Sequence, residues 1–142
     1  RAVAERFGAS FHTPDGAPKD ADVVFHASAT ADGLATATGC AGLEASVVEM
    51  SWYGDEAVPA PLGGAFHSRR LRLISSQVGQ VSPSRRPRWS SFRRLSKAVA
   101  LLADDRLDAL ITAEVAFDDL ADEIGGILAK DAPGLATAVR YP

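Results

Sequence analysis

The chain contains one cysteine, Cys40, so no disulfide can form within it, and a reducing compartment with a cytoplasmic location is the simpler expectation. With no evident histidine partner, that thiol reads as a packing residue. No apolar run approaches the ~18 residues of a bilayer-spanning helix, and the first residues lack the basic-then-apolar order of a leader peptide. No membrane association is expected. The three histidines, His12, His26 and His67, stand far apart from one another and from Cys40. Without metal-ligand spacing they read as structural or surface residues, so no metal site is assigned. Low-complexity tracts and internal repeats are missing too, which excludes solenoid and fibrous architectures. The most telling absence is of acid: from Ala57 to Ala103 there are nine Lys or Arg and no Asp or Glu, whereas 1–56 and 104–142 each hold nine acids against three bases.

What is present is the make-up of one globular domain. The chain is 46% hydrophobic and 23% charged over 142 residues, enough to bury roughly 70% of the surface of its unfolded form. It opens on Arg1 rather than Met, already within a helical stretch, RAVAERFGA, which implies a piece of something longer. Gly8 is placed to end that helix in a left-handed conformation. A turn-rich connection follows, with at most its first residues, Ser10 to His12, extended. ADVVFHAS is then apolar on both faces, as buried parallel strands are. Thr30 or Asp32 can cap a small-residue helix, TADGLATATGCAGLEA, and SVVEMSWYG is a second strand. Strand, helix and strand over about 32 residues make a βαβ unit with parallel strands. A third strand begins at RLRLISSQ, with Leu71, Leu73 and Ile74 as its buried residues. FRRLSKAVALLADD places Leu95, Ala98, Val99 and Leu102 at helical spacing. LDALITAEVAF is a strand, DLADEIGGILAKDA a helix capped by Asp118, and LATAVRYP a short closing strand.

In order and local wording, these elements resemble the C-terminal part of the medium-chain dehydrogenase/reductase family, the zinc-type alcohol dehydrogenases. The resemblance is carried by Phe7-Gly8-Ala9 at a helix end, by Ala21-Asp22-Val23-Val24-Phe25-His26-Ala27-Ser28, and by Val47-Val48-Glu49-Met50-Ser51-Trp52-Tyr53-Gly54. Ile74-Ser75-Ser76-Gln77-Val78-Gly79 and Leu110-Ile111-Thr112 complete it. It implies an α/β fold, the back half of a Rossmann-type parallel sheet with flanking helices, closed by a C-terminal strand-helix-strand segment. It implies a parent enzyme that moves hydride between NAD or NADP and a small alcohol or carbonyl substrate. The Gly-rich turn that cradles the pyrophosphate in such folds is not found, since Gly63-Gly64 and Gly125-Gly126 do not match its spacing. Zinc belongs to the family rather than to any ligands in this chain, and the chain alone is expected to be catalytically silent. The resemblance puts Ser28-Ala29-Thr30 near the adenosine-side ribose, with Ala29 where the family often has Gly. It puts Ser51, Trp52, Tyr53 and Gly54 near the nicotinamide ribose, and Ser75, Ser76, Gln77 and Val78 near the carboxamide. Residues 1–82 would then be a partial cofactor-binding region without its first βαβ unit. Residues 83–142 would be a helix-strand-helix-strand segment packing back on it.

The arginine cluster keeps three readings. Arg85, Arg86, Arg88, Arg93 and Arg94, with Trp89 and Phe92 between them, fit the loose description of a basic patch with interleaved aromatics. Four serines and two prolines also make the stretch a strand-to-helix connection, with Ser90 or Ser91 as the cap. It serves as a connection or subunit contact, attracts an anionic cofactor or substrate, or, in a non-enzymatic α/β module, holds an acidic protein or nucleic acid. Net charge −3 and the lack of a reader motif weigh against nucleic acid. In the family it resembles, the third strand tends to lie at the subunit edge, so the resemblance implies that an exposed strand end is covered by a partner, giving a homodimer.

Overall fold

The computed structural model describes residues 1–129 and 131–142. It is an α/β fold with parallel sheets, and the chain divides into two compact units, residues 12–88 and residues 1–11 with 89–142. The expected division at 82/83 follows assigned roles rather than compactness.

The unit 12–88 carries strands β1 (Ala21–His26), β2 (Ala41–Glu49) and β3 (Arg72–Ser75) in a parallel sheet of order β1-β2-β3. Helix α2 (Ala31–Cys40) connects the first pair and α3 (Gly64–Ser68) the second. The numbering counts α1 (Ala2–Arg6) in the other unit. Thr30 starts α2, its hydroxyl accepting from the Gly33 amide at 3.0 Å, as a helix N-cap should. The helix ends earlier than expected and the chain passes directly into β2. Gly42 lies so close to Asp20 that an added methyl would fall 2.6 Å from its carboxylate. Glu44 takes a left-handed φ of 57°. The ladder therefore jumps from Ala21↔Ala41 to Val23↔Ser46 and runs regularly to His26↔Glu49. Leu34, Ala37, Ala41, Ala45, Val47 and Leu71 form the core, with Val24 and Phe66 half-buried against it.

Two burial expectations fail here. Val23 and Phe25 are exposed, Phe25 by 68%, because β1 is an edge strand with one face uncovered. Leu73 and Ile74 are exposed as well, and only Leu71 is buried, since β3 is the other edge. No strand forms at Ser10 to His12, where the chain leads into a 3-10 turn at Pro14–Gly16. Three bases of the acid-free stretch hold the irregular start of β2. Arg69 Nη1 donates to the Ala41 carbonyl at 2.7 Å, Arg72 Nη2 to the Glu44 carbonyl at 3.3 Å, and Arg70 pairs with the Glu44 carboxylate.

In the other unit, β4 (Ile111–Ala116) and β5 (Ala136–Arg140) pair in parallel, with α4 (Ser91–Leu101) and α5 (Leu120–Ile127) before and between them. Helix α1 closes as expected. Gly8 has φ 75°, with Gly8 N–H to the Glu5 carbonyl and Ala9 N–H to the Ala4 carbonyl, both 2.9 Å, a Schellman ending. Ser90 caps α4, accepting from the Arg93 amide at 3.1 Å. Of the expected stripe, Leu95, Ala98 and Val99 lie on the helix and Leu102 is its C-cap, and Leu95, Val99 and Leu102 are exposed. Residues 107–110, expected as the start of the strand, belong instead to a 3-10 turn at Asp105–Leu110 before β4. Asp118 does not cap α5: a 3-10 turn at Phe117–Asp119 precedes the helix, and Asp119 takes the cap position without a side-chain bond. The helix ends at Ile127, short of the expected run to Ala132, of which Lys130 lies outside the described residues.

Candidate functional site

In an open parallel sheet the carboxyl ends of the strands are where ligands bind, and here the last residues of β1 and β2 face each other. His26 and Glu49 are register partners. His26 Nδ1 lies 2.7 Å from Glu49 Oε2, and His26 Nε2 lies 2.7 Å from Ser28 Oγ. The ring is 4% exposed and the carboxylate 15%. An ionised carboxylate only accepts, so in the neutral imidazole Nδ1 carries the proton and Nε2 accepts from the Ser28 hydroxyl. The Thr30 hydroxyl, 3.0 Å from Ser28 Oγ, completes a chain that runs in one direction: Gly33 amide to Thr30, Thr30 to Ser28, Ser28 to His26, His26 to Glu49.

The second carboxylate oxygen accepts from the Ser51 amide at 2.8 Å, and the Tyr53 hydroxyl donates to Glu49 Oε2 at 3.3 Å. Burial would raise the Glu49 carboxyl, but the bonds from His26 and Ser51 together hold it below its ordinary range. Burial first, then the Glu49 charge, pushes the Tyr53 hydroxyl up. The Tyr53 ring lies nearly parallel to the imidazole, with centroids 6.4 Å apart.

Backbone bonds tie in the remaining ends. Met50 N–H donates to the His26 carbonyl at 2.8 Å, and Ser76 N–H to the Glu49 carbonyl at 2.9 Å. The Ala29 amide donates to Ser51 Oγ at 3.0 Å. Ala29 itself has φ 52°, a conformation glycine adopts without cost. Gly33 has to lack a side chain for another reason. A methyl on it would fall 2.0 Å from Ser28 Oγ and 2.7 Å from His26 Nε2.

Of the residues singled out from the sequence, Ser28, Ala29, Ser51 and Tyr53 are brought together around His26 and Glu49. Ser75, Ser76 and Gln77 line a separate hollow of about 470 Å³, which also takes in Arg86. Trp52 and Val78 stand out from the surface, 88% and 82% exposed, and Gly54 turns the chain with φ 64°. Sequence reasoning misses two central residues. It takes His26 for a structural or surface histidine and gives Glu49 no role, although both stand in strands expected to be parallel neighbours and end the strands that form. Aligning the two strand ends is the signal that finds them. Among the described residues no three His, Cys, Asp or Glu side chains are grouped to hold a metal ion, and no helix is long and apolar enough to cross a membrane. In the arginine cluster, Arg86 Nε donates to the Val81 carbonyl at 2.9 Å and Arg93 lies 4.4 Å over the Trp89 ring.

No family model matches the chain, and no curated protein does. Solved structures do. 2R,3R-butanediol dehydrogenase from Bacillus subtilis matches 98% of this chain at 18% identity, with a TM-score of 0.58 and 34% of its own length covered. L-Idonate 5-dehydrogenase from Escherichia coli matches 85% at 18% identity and TM-score 0.61, over 31% of its length. A zinc-binding dehydrogenase from Sinorhizobium meliloti, solved bound to NADP, matches 87% at 24% identity and TM-score 0.53, over 32% of its length. The chain thus has the fold of a part of these dehydrogenases and spans about a third of their length.

Proposed function

We propose that this chain is the nicotinamide-holding part of an NAD- or NADP-dependent medium-chain dehydrogenase or reductase acting on a small alcohol or carbonyl compound. The observation that carries this reading is the tying of three strand-end loops, after His26, Glu49 and Ser75, by one hydrogen-bonded network at the carboxyl edge of a parallel sheet. A cofactor site needs such pre-organised loops, because ordering them on binding would cost affinity. In the proposal Ser28 and Ala29 lie toward the adenosine-side ribose. Ser51 and Gly54 approach the nicotinamide ribose, with Trp52 and Tyr53 as its apolar wall. Backbone groups of Ser75, Ser76 and Val78 and the Gln77 amide meet the carboxamide, which needs paired donors and acceptors. The hydride chemistry is the cofactor's own. Zinc, implied only by the family, would polarise the substrate oxygen. The described residues here do not form a site for it.

Titration of the 15N-labelled chain with nicotinamide mononucleotide tests this reading. Amide shifts concentrated at 28–30, 51–54 and 75–78 are expected. Shifts elsewhere, or none up to about 10 mM, well past the about 1 mM expected of so small a ligand, would sink it. The interaction-module reading draws less support, because Arg69, Arg70, Arg72, Arg86 and Arg93 are already engaged within their own units. A salt-sensitive shift of DNA or RNA, removed by replacing Arg85, Arg86 and Arg88, would restore it.

A further inference from the structure

We propose that Ser28 is an activated nucleophile, with His26 as its general base and Glu49 as the group that positions the base, and that it accepts acyl groups from neutral, apolar esters. The arrangement is nucleophile, base and orienting carboxylate in line, at 2.7 Å and 2.7 Å, the pattern that activates a serine in unrelated folds. Ser28 sits on the turn between a strand and a helix, exposed, while the imidazole behind it is buried. The hydroxyl therefore reaches solvent and the base is kept from it.

Ser28 and His26 line one open hollow of about 540 Å³, whose walls are mostly apolar: Val24, Phe25, Ala27, Ala37 and Cys40. Among the described residues on its rim Asp32 alone carries a formal charge, which disfavours an anionic acyl group and fits an uncharged one. Gly33 clears the space above Ser28 Oγ that any side chain would fill. The first-turn amides of α2 at Ala31 and Asp32 have no helical carbonyl to bond, and the proposal assigns the developing oxyanion to them.

In the step, Ser28 Oγ attacks the ester carbonyl carbon and its proton passes to His26 Nε2. The bond from carbon to the leaving oxygen breaks, and His26 returns the proton to that oxygen. Acyl-Ser28 and the free alcohol result. Water follows the same path in the second half, releasing the carboxylic acid and restoring the Ser28 hydroxyl. Glu49 stays ionised throughout and holds the imidazolium that forms. No nicotinamide takes part, so failure here leaves the dehydrogenase reading untouched, and the reverse.

The test is p-nitrophenyl acetate with the 142-residue chain, followed by p-nitrophenolate release, intact mass and peptide mapping. One acetyl group on Ser28 is expected, lost in Ser28→Ala and slowed about 100-fold in His26→Gln. Glu49→Gln should slow it as well and Glu49→Asp restore part of the rate, a rescue that a merely structural role would not give. Because His26→Gln removes a buried hydrogen-bonding group, Gly33→Ala is the second variant. It keeps Ser28 but drives its hydroxyl off His26, so acetylation should fall while helical circular dichroism is retained. Acetylation of another residue, or equal rates in the parent chain and Ser28→Ala, overturns the proposal.

Discussion

Ala29 shows how one residue can carry strain for the sake of a contact. Its left-handed backbone, φ 52°, costs an L-residue about 1–2 kcal/mol, and it persists because the turn aims the Ala29 amide at Ser51 Oγ. Glycine would keep that amide and remove the strain, while adding freedom to the unfolded chain that offsets part of the gain. Ala29→Gly should therefore stabilise the protein by about 0.5–1 kcal/mol, read as a higher urea midpoint at unchanged slope. A lower midpoint would mean that the methyl makes a contact worth more than the strain. Glu49 gives a prediction in pH. Its carboxyl is held below the ordinary 4.5, so the unfolded chain binds the proton more readily than the folded one in the interval between the two values. The stability it contributes is whole above about pH 4.5 and is lost as pH falls through the lower, folded value. Asp104, brought down to about 2 by its bonds to Arg106, adds to the same acid limb. Subtraction of a Glu49→Gln titration isolates the Glu49 share, and identical acid limbs in the two proteins would show that the network does not bias that carboxyl.

At the level of elements, the existence and type of nearly every helix and strand could be read from periodicity, while their ends and their burial could not. The βαβ unit was legible because Val23-Val24-Phe25 and Val47-Val48 are β-branched or aromatic runs on either side of a small-residue segment with a capping threonine. The helix end at Cys40 was not, because it depends on Gly42 closing against Asp20, a contact between residues 22 apart. The two-faced apolar pattern of β1 signals burial only when both faces have neighbours, and here Phe25 has none on one side. The candidate site was half legible. Loops at strand ends follow from the fold, so the turns at Ser28 and Ser51, which meet around His26 and Glu49, were singled out, and Ser75 with them, although it lines a separate hollow. His26 and Glu49 were missed because each is unremarkable alone, and only parallel register puts an imidazole beside a carboxylate 23 residues away. Arg93 over Trp89 likewise explains part of the arginine cluster by a contact within one helix entry.

On the scale of the whole molecule, part of the uneven charge, three of the nine bases of the acid-free stretch, is placed at one sheet edge. Arg69, Arg70 and Arg72 lead into β3 and neutralise the Glu44 turn beside it, so the edge that follows is short, flanked by cations and tipped with exposed Leu73 and Ile74. Among the described residues the outer side of β3 has no strand against it, and unpaired backbone groups there form a template for another chain. We propose that a second copy supplies the cover, two β3 edges meeting about a two-fold axis, since an isologous contact lets the same exposed pair meet itself. Sedimentation should then show a dimer at micromolar concentration. Ile74→Lys would place like charges opposite each other across that axis and bury an ammonium without a partner, a cost of several kcal/mol. Dissociation by at least about 100-fold in Kd is expected. A monomeric parent chain, or a dimer indifferent to Ile74→Lys, would rule the β3 edge out.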